Sequence, residues 1–201
     1  MHFPLYLATG ILASLISIHV CAQGRLEKLE TTFFVQRSSG EPAICGFEFT
    51  QSYRDRIYQQ GAIAAITGTL SWFETRGDIG VILKVFGSDF PQADNLEMTP
   101  KPFPVGKTFL IVDKTPYPVD AFPCERPTGF CGSYRIPTSM AVFNAFGAAK
   151  LSIGFSRRGG IFDIVLPLDT RPDAATNPQD DTSFLRCISA IVARARANLK
   201  K

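Results

Sequence analysis

Leu151, Ile153 and Phe155 alternate with Ser152, Gly154 and Ser156, and after Arg157-Arg158-Gly159-Gly160 the apolar positions resume at Phe162, Ile164, Leu166 and Leu168. A period of two on both sides of a Gly-Gly turn predicts a β-hairpin with one buried face. Earlier in the chain, 30–37 and 43–53 read as two strands separated by Ser38-Ser39-Gly40-Glu41-Pro42, with Phe47 and Phe49 on the face of Cys45. A longer pair follows at 62–74 and 79–87, joined by Thr75-Arg76-Gly77-Asp78. The second of these is apolar on both faces, so it reads as a central strand covered on each side.

Prolines 91, 100, 102, 104, 116, 118 and 123 then dominate, and only 108–113 has clear strand character among them. Proline cannot donate to a ladder, so this region suits loops and sheet edges, while Phe103, Phe109, Tyr117 and Phe122 supply carbon for burial. Pro137-Thr138-Ser139 opens a short helix through Phe146, and 169–180 is a polar loop. The last element is a long helix over 181–199. Its apolar arc is Phe184, Leu185, Ile188, Ile191, Val192, Ala195 and Leu199, with Arg186, Arg194 and Arg196 opposite and Cys187 at the border. The fold class is therefore α+β and β-rich, a mostly antiparallel sheet or sandwich with a long C-terminal helix packed on it.

Residues 1–22 are apolar or small, contain no Lys, Arg, Asp or Glu, and end Val20-Cys21-Ala22. This predicts a cleaved secretory signal and a single exported domain over 23–201, periplasmic or secreted, with no membrane span after cleavage. Cleavage would remove both histidines, His2 and His19, and with them Ser-His-Asp and Cys-His catalysis, HExxH zinc sites and histidine switching. The net charge of +3 is too small to imply nucleic acid.

Cys45, Cys124, Cys131 and Cys187 remain, an even number in an exported chain, which predicts two disulfides among three possible pairings. A Cys124–Cys131 bond closes a short loop worth roughly 2–3 kcal/mol in the chain-entropy model, and a Cys45–Cys187 bond ties up almost the whole chain for roughly 5. We favour that pairing. A four-thiolate zinc site is the alternative, but the spacing lacks paired C-x2-C knuckles, so no metal or other cofactor is expected.

Chemistry is sparse along the rest of the chain. Glu48, Glu74, Asp78, Asp89 and Asp163 are the carboxylates near strands, and nothing in the sequence links any two of them. Ser139 and Lys150 form no S-x-x-K arrangement, no phosphate loop precedes a helix, and six residues between Cys124 and Cys131 exclude a C-x-x-C redox motif. No catalytic residue is assigned. Arg76, Gly77 and Asp78 form a possible recognition loop at a hairpin tip, although this composition is also what an ordinary strand connection uses. Trp72 and Phe73 beside it read as core or interface residues.

From Ile111-Val-Asp113, through the cysteine pair in Phe122-Pro-Cys124 to Phe130-Cys131-Gly132, to Ile164-Val-Leu-Pro-Leu168, the order of features is similar to that of the invasion-associated locus B family of exported bacterial proteins. It covers residues 111–168 only. The resemblance implies a β-rich envelope protein linked to host colonisation or envelope integrity, with no catalytic residues to carry over. The expected function is a non-enzymatic binding or envelope-support module that presents the loops around Cys124–Cys131 or Arg76-Gly77-Asp78 to an unknown protein or envelope partner. The alternatives are a carboxylate-based hydrolase without histidine, which needs two acids facing across a groove, and an accessory or inhibitor subunit of a secretion system.

Overall fold

The computed structural model describes residues 30–75, 78–90, 99–134, 141, 142, 144, 145, 148, 150–168 and 178–198. The expected signal segment with His2, His19 and Cys21 lies outside them, as do Arg76, Gly77 and Leu199. Of the short helix expected before Phe146, Ala141, Val142, Asn144 and Ala145 are described and are helical.

Two long hairpins open the fold: β1 (Glu30–Ser38) with β2 (Glu41–Asp55), and β3 (Ala62–Thr75) with β4 (Asp78–Asp89). Ser39 and Gly40 turn the first with positive φ, the backbone state that Gly adopts most easily. β5 (Lys101–Phe103), β6 (Val105–Val112), β7 (Thr115–Pro118), β8 (Asp120–Phe122) and β9 (Phe130–Tyr134) follow in the proline-rich region, then β10 (Leu151–Arg157), β11 (Ile164–Leu168) and the helix α1 (Pro178–Asn198). The strands form a seven-stranded sheet in the order β1-β2-β3-β4-β9-β8, with β5 also on β4, and a four-stranded sheet β11-β10-β6-β7. Every pairing among the described residues is antiparallel.

Register explains which face is buried. Cys45 stands opposite Val35 and Trp72, Trp72 opposite Val81, and Val81 opposite Tyr134, so one row of core residues crosses five strands. The next row runs Phe33, Phe47, Leu70, Leu83. Two elements share the cover of this face. α1 lies against β1, β2 and β3, inserting Phe184 between the rings of Phe33 (5.0 Å) and Trp72 (5.9 Å). The smaller sheet closes the rest through Phe155, edge-on to Tyr53 at 5.9 Å, and through Leu110, whose N–H donates to the Tyr134 hydroxyl at 2.9 Å. One continuous core joins both sheets and the helix. The expected β-rich α+β class with a helix packed on antiparallel sheets is the architecture present.

Four expectations need correction, the last of them at Arg194. The hairpin of β10 and β11 forms with Phe155 opposite Ile164, but the apolar pattern does not resume at Phe162. Phe162 and Ile161 are exposed in the connection, because the turn spans 158–163 and the alternation starts again only at Ile164. β4 is central in its sheet, but Ile82, Lys84, Phe86 and Ser88 on its second face are only half-buried, since the helix and the second sheet both pack on the first. On α1, Leu185 is exposed while Cys187 is fully buried, so the seam is rotated toward the cysteine.

Cys45 is bonded to Cys187 and Cys124 to Cys131, the pairing favoured from spacing. Arg194, expected on the solvent side, is half-buried and donates to the Pro42 carbonyl at the start of β2.

Candidate binding groove

Two neighbouring arginines at the end of β10 point to different tasks. The ladder between β10 and β6 shifts register between Ser156 and Arg157, and such an irregularity re-aims the side chains beyond it. Arg157 enters the seam between the two sheets. Its Nε and Nη2 donate to Asp55 Oδ2 at 3.0 and 2.6 Å, and its Nη1 and Nη2 to Asp89 Oδ2 and Oδ1 at 2.8 and 2.5 Å. The guanidinium lies 3.8 Å from the centroid of the Phe103 ring. Phe103 in turn lies flat on Gly87, where a Cβ would collide with the ring.

Asp55 is fully buried at the end of β2 and uses both oxygens, because Oδ1 accepts the N–H groups of Ile57 (3.1 Å) and Tyr58 (2.8 Å) and so shapes the following turn. Tyr58 extends the network, its hydroxyl exchanging hydrogen bonds with the backbone of Phe162. Burial lowers the Arg157 pKa, but the hydrogen bonds it donates to Asp89 and Asp55 more than offset this and leave it above its ordinary value. Burial, reinforced by the Asp55 carboxylate, pushes the neighbouring Tyr53 phenol far above its usual range. Arg157 therefore clamps the ends of β2, β4 and β10, and its charge is spent on two carboxylates.

Arg158 is exposed and belongs to the outer surface. Its backbone N–H donates to Pro104 O at 2.8 Å, and a Cβ on Gly106 would stand 2.9 Å from the Arg158 Cα, so glycine there permits the close approach. The Val105 N–H donates to Thr128 O at 2.9 Å, tying the disulfide loop to the start of β6. Between these segments lies a groove of about 340 Å³, whose lining includes Phe122, Pro123, Cys124 and Cys131, Val105, Gly106 and Arg158, and Arg126 and Phe130. Arg158 Nη2 donates to the Pro127 carbonyl at 2.9 Å, and Arg126 lies over the Phe86 ring, 5.3 Å from its centroid. The groove thus combines two oriented cations with an apolar lining held by a covalent staple.

The residues singled out from the sequence are scattered. Asp78 begins β4 at the tip of its hairpin, and Arg76 and Gly77 lie outside the described residues, so the recognition-loop reading of this tripeptide stays an expectation. Trp72 is buried against Phe47 and Phe184, and Phe73 lies over Gly80. Glu48 is exposed on the outer face of β2, Glu74 accepts from Asn198, Asp163 pairs with Lys107, and Asp89 joins the clamp. The two acids that do converge, Asp55 and Asp89, share the Arg157 guanidinium. Sequence reasoning named the Cys124–Cys131 loop and the Arg157-Arg158 turn but missed Asp55 and the roles of Arg126, Arg157 and Arg158, although a charged residue closing the strand pattern at Asp55 was a legible signal. Among the described residues no group of three or more His, Cys, Asp or Glu could hold a metal ion, and no helix is long and apolar enough to cross a membrane.

The chain matches no family model, and neither the curated proteins nor the solved structures compared with it show a match.

Proposed function

We propose that this chain is an exported binding module of a bacterial envelope, and that it takes its partner in the groove beside the Cys124–Cys131 loop. The groove carries this reading: apolar residues and two arginines, each with one contact to the protein, line an exposed concavity, while the buried charges nearby are committed to holding the sheets. Two disulfides suit an oxidising compartment, and the charge-free segment 1–22 ending Val20-Cys21-Ala22 suits export. The similarity of 111–168 to the invasion-associated locus B family adds a setting of host colonisation or envelope integrity. The carboxylate-hydrolase alternative draws no support from Asp55 and Asp89, because both are occupied by Arg157.

The test places a photoreactive amino acid at position 122 in the groove and, separately, at exposed Ile63 on β3, in the protein expressed in its native envelope. A discrete adduct from 122 and none from 63 is expected. Equal labelling from both, or none from 122, overturns the assignment of the site. The mass of the same purified protein should begin at Gln23, and a mass including Met1 would overturn cleavage and weaken export.

A further inference from the structure

The groove lining divides into two chemistries. Phe122, Pro123 and Phe130 present carbon, Arg126 and Arg158 present positive charge, and no carboxylate stands among the described lining residues. Both guanidiniums are exposed, yet each is held on one side, by the Phe86 ring and by the Pro127 carbonyl. Each keeps further N–H donors in a planar fork that matches a carboxylate two-pronged. A ligand for this site therefore needs an acid and an apolar group close together.

The surroundings say which kind of molecule supplies them. β8, whose Ala121 and Phe122 line the groove, ends the strand order of its sheet, and among the described residues it pairs with β9 alone, which leaves its outer backbone edge for an extended segment. In an extended chain residues i and i+2 share a face, so a peptide lying along β8 sends alternate side chains into the groove. Building on the groove as the binding site, we propose that it takes an extended acidic segment of a partner protein. An Asp or Glu side chain meets Arg126 and Arg158, and an apolar side chain two residues away rests on Phe122 and Phe130.

A library of seven-residue peptides displayed on phage, panned on the purified protein, tests this. Enriched sequences should carry Asp or Glu two positions from Phe, Leu or Ile. Synthetic copies should weaken roughly tenfold or more on the double variant Arg126→Ala, Arg158→Ala, whose side chains are exposed, so that losing their contacts to Phe86 and Pro127 should lower the melting temperature by only a few degrees. The same peptides should weaken on raising salt from about 0.05 to about 0.5 M. Wholly apolar peptides that lose affinity on Phe122→Ser but not on the double variant would overturn the acidic segment and leave the groove as the site. Peptides indifferent to both variants would overturn the groove as well. Vesicles containing phosphatidylglycerol form the last arm: if they sediment the protein but not the double variant, and no peptide is enriched, the cations serve a membrane surface and the proposal fails.

Discussion

Arg157 and Arg158 are adjacent, identical in chemistry and opposite in role, and burial alone separates them. The Arg157 side chain is 11% exposed between two carboxylates, one of them fully buried. Removing one member of such a group leaves an uncompensated buried charge, so Arg157→Met should cost about 3–5 kcal/mol in urea unfolding. Arg157→Lys should recover only part of this, because an ammonium cannot fork to two carboxylates while lying on Phe103. An unchanged midpoint for Arg157→Met would show that the clamp contributes nothing. Phenols give a second expectation. Burial raises the pKa of Tyr53 and Tyr134 above the ordinary 10.0. The folded chain therefore keeps protons that the unfolded chain gives up, and stability present below about pH 10 is lost as the pH climbs further. Tyrosinate absorbance from these two residues should rise in one step with loss of circular dichroism, and Tyr53→Phe and Tyr134→Phe should each shrink that step. Gradual ionisation of both in an intact fold would contradict the burial.

At the scale of elements, α1 shows what a helical pattern reveals and what it leaves open. The spacing of apolar residues located the helix and its general face, but it put Leu185 inside the arc and Cys187 at its border. At about 100° per residue, Leu185 and Cys187 flank Phe184 and Ile188 on opposite sides, and composition favours the leucine. The bond to Cys45 and the insertion of Phe184 between Phe33 and Trp72 turn the helix the other way. Ile188→Ala should therefore cost about 2–5 kcal/mol, whereas Leu185→Ala should stay within about 0.5. Arg194→Ala should cost about 0.5–1.5 kcal/mol, because it gives up a donor to the Pro42 carbonyl. Equal losses at Leu185 and Ile188, measured by chemical denaturation, would place the seam elsewhere. The short strands β5, β7, β8 and β9 were not legible, because three to five residues, in β5, β7 and β9 interrupted by proline or glycine, carry too little alternation and owe their pairing to β4, β6 and each other.

For the molecule as a whole, β2, β3 and β4 form the longest ladders, and both disulfides tie later segments to this sheet. Amide exchange should be slowest in β2–β4 and fastest in the edge strands β7 and β8. Breaking Cys45–Cys187 with the paired variant Cys45→Ala, Cys187→Ala should lower stability by about 2–5 kcal/mol, more than the pair Cys124→Ala, Cys131→Ala, whose loop is far shorter. Exchange fastest in β3, or a larger loss from the short loop, would reverse this ranking. Non-reducing peptide mapping checks the pairing directly, and any fragment joining Cys45 to Cys124 or Cys131 would contradict it.

Alternation and helical spacing are local properties, and they alone determined the main strands, the final helix and the β-rich class. An even set of cysteines with unequal loop lengths carried the disulfide pairing. Which charges are spent and which are free belonged to the tertiary structure. Asp55, Asp89 and Arg157 lie far apart in sequence and meet only when the smaller sheet closes on the larger, and that same closure leaves Arg158 outside, beside the disulfide loop. A charge announces neither its burial nor its partner along the chain, because both depend on packing between elements that no local period encodes.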